Sequence, residues 1–234
     1  MRRVVPVLAS VLLLTLSGCT TEPAESAHTT VTVILDQDVT PEQKSAVEQR
    51  LRSMPSVEGV AFETREQAYA RQKETLEDEP DLLAQLNPEY VPESFHATVT
   101  DPLAAEAIEL VMGTVDQVGS VVLRIAEADP LPSRIGVIVR MEATATAEQL
   151  GAVERAVRAL PHAESVEAEK RDAAYERLRE QCQGKGDLAT QLDRQSMRDS
   201  VRFELPLDKK SPGMSKLIGL DGVDVLEMVP ATML

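Results

Sequence analysis

From Val31 onward, apolar and polar side chains alternate in short bursts, and the period of each burst names its element. Val31, Val33 and Leu35 occupy every second position, the spacing of a strand with one buried face. Thr40 follows as a helix N-cap with Gln43 three residues on, a capping box, and Pro41 suits the first helical position. Val47, Leu51 and Met54 then fall on one helical face, and Pro55 stops the helix because it has no N–H to donate. A second strand is predicted over Val57–Glu63, a polar helical stretch over Arg65–Asp78 and a shorter one over Pro80–Leu86. Ser94–Thr100 reads as a third strand, Pro102–Gly113 as a helix and Val118–Ile125 as a fourth strand.

The same series then starts again. At a constant offset of 106 residues, 31–118 aligns with 137–224 without a gap and with about two dozen identities. Thr146 and Gln149 repeat the capping box, Val153, Val157 and Leu160 repeat the helical face, and Pro161 repeats the stop. Tyr69 matches Tyr175, and Asp81-Leu82 and Gln85-Leu86 match Asp187-Leu188 and Gln191-Leu192. Two tandem domains are therefore expected, 31–125 and 135–230, joined by a Pro-containing linker at 126–134. The order β-α-β, helical insert, β-α-β predicts an α+β fold: two ferredoxin-like split β-α-β domains, each with an inserted helical lobe. Helices on one face would bury one side of each sheet.

The amino terminus follows a different pattern. Met1-Arg2-Arg3 is a positive start, and Val4 to Leu16 form an apolar run of 13 residues, shorter than the roughly 20 needed to span a bilayer. The run ends in Leu16-Ser17-Gly18-Cys19, which resembles the bacterial lipobox. That resemblance implies a signal peptide over 1–18, cleavage before Cys19 and acylation of its thiol, with palmitate among the acyl groups. Residues 19–30 are small and polar and read as a flexible tether. The expected product is anchored at the extracytoplasmic face of the cell membrane without spanning it.

Composition removes several function classes. Charge is −15 over 234 residues, and loss of Arg2 and Arg3 with the leader moves it to −17, which argues against nucleic acid. Aromatics are 3% with no Trp, too few for a base- or sugar-stacking platform. His28, His96 and His162 lack ligand spacing, and Asp36-Gln37-Asp38 lacks the Gly and distant Glu of a calcium loop, so no metal is expected. Gly184-Lys185-Gly186 lacks a phosphate-loop pattern, and its counterpart is Asp78-Glu79-Pro80. No nucleophile motif, zinc signature or nucleotide fingerprint is present, so neither an enzyme nor a cofactor is expected. Arg outnumbers Lys 17 to 7, the usage of a high-GC, actinobacterial genome.

Four stretches of the first repeat together resemble the extracellular domain of FtsX, the permease-like cell-division protein. They are Val39–Lys44, Arg50–Val60, Glu63–Tyr69 and the Pro-Glu-Ser-Phe that ends Pro88–Phe95. The resemblance covers about 31–123 well and 135–229 more weakly, since Phe95 becomes Val201 and Asn87-Pro88 becomes Asp193-Arg194. In that family the domain docks peptidoglycan hydrolases through apolar residues of the helical lobe, while transmembrane helices couple it to an ATPase. This chain shows no such helices, so the resemblance implies the binding module alone, in cell-envelope or cell-division regulation.

The resemblance places partner docking on Tyr69, Leu76, Leu82, Leu83 and Leu86, with Tyr175, Leu178, Leu188 and Leu192 as counterparts. Each has a plainer reading as the small core of a two-helix lobe. Cys182 aligns with Leu76 and reads as a small buried hydrophobe, with intermolecular pairing of a lone extracytoplasmic thiol as the other reading. The expected partner is an envelope protein such as a peptidoglycan hydrolase or permease. Two alternatives make distinct demands. A lipid-anchored transporter accessory or solute-binding component needs a polar pocket between the domains. An envelope enzyme needs a carboxylate pair in a cleft.

Overall fold

A computed structural model describes residues 29–125, 132–207 and 213–234. Cys19, the leader, the tether up to His28 and most of the linker lie outside the described residues.

The first copy runs β1 (Thr29–Leu35), α1 (Pro41–Arg52), β2 (Val57–Glu63), α2 (Arg65–Thr75), α3 (Pro80–Leu83), a 3-10 turn at Pro88–Tyr90, β3 (Ser94–Val99), α4 (Pro102–Met112) and β4 (Val118–Ile125). The second runs β5 (Arg134–Met141), α5 (Ala147–Arg158), β6 (Glu164–Glu169), α6 (Arg171–Gln181), α7 (Leu188–Gln191), β7 (Ser200–Pro206), α8 (Met214–Ile218) and β8 (Val223–Pro230), then a final 3-10 turn. The sheets have the orders β2-β3-β1-β4 and β6-β7-β5-β8, with every neighbouring pair antiparallel. Strands β1 and β2 therefore run the same way with β3 between them, as β5 and β6 do around β7. Both sheets are split β-α-β units of the ferredoxin-like kind.

The repeat extends to single hydrogen bonds. Thr40 and Gln43 cap α1 reciprocally, as Thr146 and Gln149 cap α5. Arg52 donates to Glu48 and to the Val60 carbonyl, and Arg158 does the same with Glu154 and Val166. The offset of 106 fails only at the end: Leu35 pairs with Val118, but Met141 pairs with Val223. From the fourth strand onward the true offset is 105. A bulge in β2 places Gly59 at φ 61°, and the equivalent bulge in β6 puts Ser165 at φ 53°.

The two sheets are not buried alike. On the inner face of the first, Val31, Val33 and Leu35 meet Val47 and Leu51 of α1 and the apolar side of α4. The second sheet is covered on both sides, contrary to the one-sided burial expected from element order. Its inner face packs Val137, Val139 and Phe203 under α5 and α8, while Ile138 and Val229 on its outer face join the core of the first copy. Helix α4 is the shared element. Its sequence, Pro-Leu-Ala-Ala-Glu-Ala-Ile-Glu-Leu-Val-Met, is apolar nearly all round, so one sheet cannot cover it.

Both glutamates of α4 enter this joint. Glu106 lies 3.0 Å from Arg202 of β7 and 3.1 Å from Arg177 of α6. Glu109 takes both Nη groups of Arg140 in β5, the second at 2.6 Å. Arg140 also reaches Glu227 of β8 at 2.9 Å, and Arg177 pairs with Glu169 of β6 at 2.7 Å. Four carboxyl groups thus share three guanidinium groups, one acid more than the arginines neutralise. Burial would raise Glu106, but Arg202, Arg140 and Arg177 outweigh it and hold its carboxyl at about 2. Burial, reinforced by Glu227, dominates at Glu109 and pushes it up to about 8 despite Arg140.

Two predictions follow from these packings. Ser165 bears a left-handed backbone that costs an L-residue roughly 1–2 kcal/mol. Ser165→Gly should therefore raise the urea midpoint, with a net gain below about 1 kcal/mol after the added chain entropy of glycine. Glu109 and Glu227 titrate together, and their raised carboxyl holds a proton in the folded state that the unfolded chain releases near 4.5. Its contribution is complete below that pH and is lost as pH rises to about 8, with a slope of at most about 1.4 kcal/mol per pH unit. Urea unfolding of Glu109→Gln at about pH 5, 6.5 and 8 should show a flatter profile than the parent.

Candidate docking site

The lobe of the second copy is already occupied. Leu178, Cys182 and Leu188 are fully buried and Leu192 nearly so, all within the core that α4 belongs to. Lys185 pairs with Asp101 at the start of α4, and Gln191 accepts from Arg50 of α1. Leu178, Leu188 and Leu192, read from the sequence as a docking surface, thus meet a helix of their own chain and not an outside partner. The reason is the all-round apolar character of α4, which demands a second cover. Tyr175 stays half-buried, with the Arg194 guanidinium 4.4 Å over its ring. Cys182 takes the small apolar place its alignment suggested, and burial raises its thiol.

In the first copy the same surface is open. Ala68 of α2 and Val91, which follows the 3-10 turn, are buried. Tyr69, Leu76, Leu83 and Leu86 are half-buried, while Leu82 is 51% exposed. Tyr90, on the 3-10 turn beside the lobe, is 72% exposed and was not singled out from the sequence. These side chains bring apolar area to the position where Leu188 and Leu192 hold α4 in the second copy. Thr64 caps α2 with Gln67, a capping box that the second copy lacks, so the open lobe carries its own local stabilisation.

Beside this lobe lies a polar cluster on the outer face of the first sheet. Arg71 of α2 donates from Nε to Glu63 Oε1 at 2.8 Å and from Nη2 to Glu63 Oε2 at 3.0 Å. In the second copy Arg177 makes the same two bonds to Glu169, at 2.7 and 2.8 Å. His96 of β3 stands 3.0 Å from Glu63 and 3.1 Å from both Thr32 and Ser94. The hydrogen bond from Arg71 outweighs burial and holds the Glu63 carboxyl at about 2, so it stays ionised. The signal for this cluster was present in the sequence: Glu63 and Arg71 are identical to Glu169 and Arg177 at the repeat offset.

Other recesses have different chemistry. A groove of about 610 Å³ runs between β4 and β8, lined by Val122, Leu123, Ile125, Val225 and Met228, with Arg124 and Glu227 its charged groups. Its lining among the described residues is mostly apolar. A polar cleft of about 470 Å³ sits where α6 begins, with Lys170 on Asp199 at 2.8 Å. Its smaller counterpart at the start of α2 holds the Lys44–Glu93 pair. Among the described residues, no three ligand-type side chains gather as a metal site, and no helix is long and apolar enough to cross a membrane.

Compared with curated proteins, the chain matches none. Compared with protein families, it matches one description twice, the FtsX extracellular domain, over residues 28–132 and again over 134–225. The first segment spans the whole first sheet, the second runs from the start of β5 into β8, and together they account for most of the chain. The chain therefore belongs to the FtsX extracellular domain family and carries that domain in two tandem copies.

Proposed function

We propose that this protein is a non-enzymatic, membrane-anchored lipoprotein that docks a cell-envelope partner through the lobe of its first copy. The partner is a peptidoglycan hydrolase or a permease acting in cell division. One observation carries the reading: the surface that α4 covers in the second copy lies open in the first, with Leu82 and Tyr90 exposed. The FtsX extracellular domain is a cell-division-related, non-catalytic module that works by protein contact outside the cytoplasm. Acylation at Cys19 supplies the anchor, and two or more acyl chains hold a protein stably where one does not. The mature charge of −17 gives no attraction to anionic head groups, which leaves the acyl chains as the means of attachment.

Two experiments test this. Leu82→Glu should weaken binding of the envelope partner at least tenfold, about 1.4 kcal/mol, while the unfolding free energy from urea titration stays within about 0.5 kcal/mol of the parent. Leu188→Ala, at the equivalent position, should instead cost about 2–5 kcal/mol of stability, because that side chain is core. Equal binding by Leu82→Glu and the parent would move the docking surface elsewhere. Cys19→Ala should abolish palmitate labelling and shift the protein from the membrane to the soluble fraction; persistent labelling would sink the lipoprotein assignment.

A further inference from the structure

The two copies meet head to tail, so the second shows what the first is built to hold. In the second copy a carboxylate, Glu106, lies against the Nη1 of Arg177 at 3.1 Å while Arg177 keeps its two bonds to Glu169. In the first copy Arg71 repeats those two bonds to Glu63, and its Nη1 makes no hydrogen bond among the described residues. The Arg71 side chain is 49% exposed, so that N–H group is accessible. His96 takes the place of Arg202, the second group that holds Glu106.

The rest of the template has changed in a way that specifies the occupant. Strand register makes Ile34 the counterpart of Arg140 and Val122 the counterpart of Glu227. Where the second copy receives Glu109 with an arginine, the first offers two apolar side chains, both half-buried. The lobe contributes Leu76, Leu82 and Leu86 where the second copy has Cys182, Leu188 and Leu192. A helix seated here therefore needs one carboxylate at the position of Glu106 and an apolar residue three places later.

We propose that the first copy binds an α-helix of its partner between lobe and sheet, with a single partner glutamate or aspartate seated on Arg71 and His96. This inference rests on the docking reading above and names the chemistry of that site. A second copy of this chain is a poor occupant. The helix that would have to enter is α8, which has 5 residues against the 11 of α4 and carries Ser215 where α4 has Glu109. With one guanidinium and a histidine in place of three guanidinium groups, the site is weaker than the internal joint and suits reversible binding.

The test uses the full chain in detergent and a fluorescent peptide of residues 101–113 carrying Glu109→Leu. A staple between positions 104 and 108, opposite position 106, keeps the peptide helical. Its binding should be at least tenfold tighter than that of the same peptide with Glu106→Gln or Glu106→Lys. Arg71→Gln in the chain, checked by its unfolding midpoint, should erase that difference. Equal affinity of all three peptides, with binding lost in Leu82→Glu, would overturn the carboxylate seat and leave lobe docking standing. No binding by any peptide would overturn the helix proposal; if Leu82→Glu also leaves partner capture unchanged, the docking reading falls with it. Concentration-dependent self-association that Leu82→Glu abolishes would make the occupant a second copy and overturn the assignment to a partner.

Discussion

The structure depends on one helix being buried twice. Helix α4 closes the core of the first copy and at the same time lies under the outer sheet face and lobe of the second. Ile138, Leu178, Leu188 and Val229 therefore belong to the core of a domain from which they are distant in sequence. The tandem cannot separate at this joint without exposing apolar area on both partners, and each fully buried Leu or Ile contributes roughly 1.5–3 kcal/mol. The copies are consequently not two beads on a string. The linker sets their order, whereas α4 sets their orientation.

That arrangement makes chemically similar copies functionally unequal. A head-to-tail contact leaves one used and one unused surface of each kind at its ends. At the second copy the unused helix is α8, and it is ill-suited to extend the array. Pro212 and Gly213 fall where α4 has Glu106 and Ala107, and α8 starts only at Met214, after Gly213 at φ 106°. At the first copy the unused surface is a complete lobe with its polar cluster intact. The second copy thus ends in a short helix, while the lobe of the first copy keeps Leu82 and Tyr90 exposed.

Much of this was legible in the sequence, and what was missed has physical causes. The eight strands and both halves of the fold were set by period-2 segments, capping boxes and Pro stops, all local features. The double burial had local signs as well. Arg-Ile-Gly-Val-Ile-Val-Arg-Met in β5 is a nearly continuous apolar run, as expected of a strand covered on both faces, while Thr-Thr-Val-Thr-Val-Ile-Leu in β1 alternates more openly. The apolar circumference of α4 gave the same signal. Which surface would cover that helix was not legible, because Glu106 and Glu109 look like solvent-facing acids until three arginines from three other elements converge on them. The loss of one residue before β8 was hidden for a related reason. Only backbone pairing fixes register there, since the repeat has few identities after Ser200.

The burial of charge at this joint needs its own account, since ion pairs removed from water return little net stability. An apolar seam of Ala, Ile, Leu and Val would hold α4 against the second sheet, but it would tolerate a shift of the helix by one turn. Carboxylates at positions 106 and 109 remove that freedom. In a shifted register Glu106 would stay buried and ionised without its guanidinium partners, which costs about 3–5 kcal/mol, and Arg140 would lose Glu109 as an acceptor. The raised carboxyl pair of Glu109 and Glu227 fits this account: a retained proton is the cost of placing four acids around three bases. In the first copy, Ile34 and Val122 replace the Arg140–Glu227 pair, so the locking part of the template is gone while the Glu63–Arg71 seat remains. On the docking proposal, a surface that keeps one charge-reading contact and loses the lock would select for a partner's carboxylate without permanence. The same repeat is thus a fixed joint in the second copy and, on the docking proposal, an exchangeable one in the first.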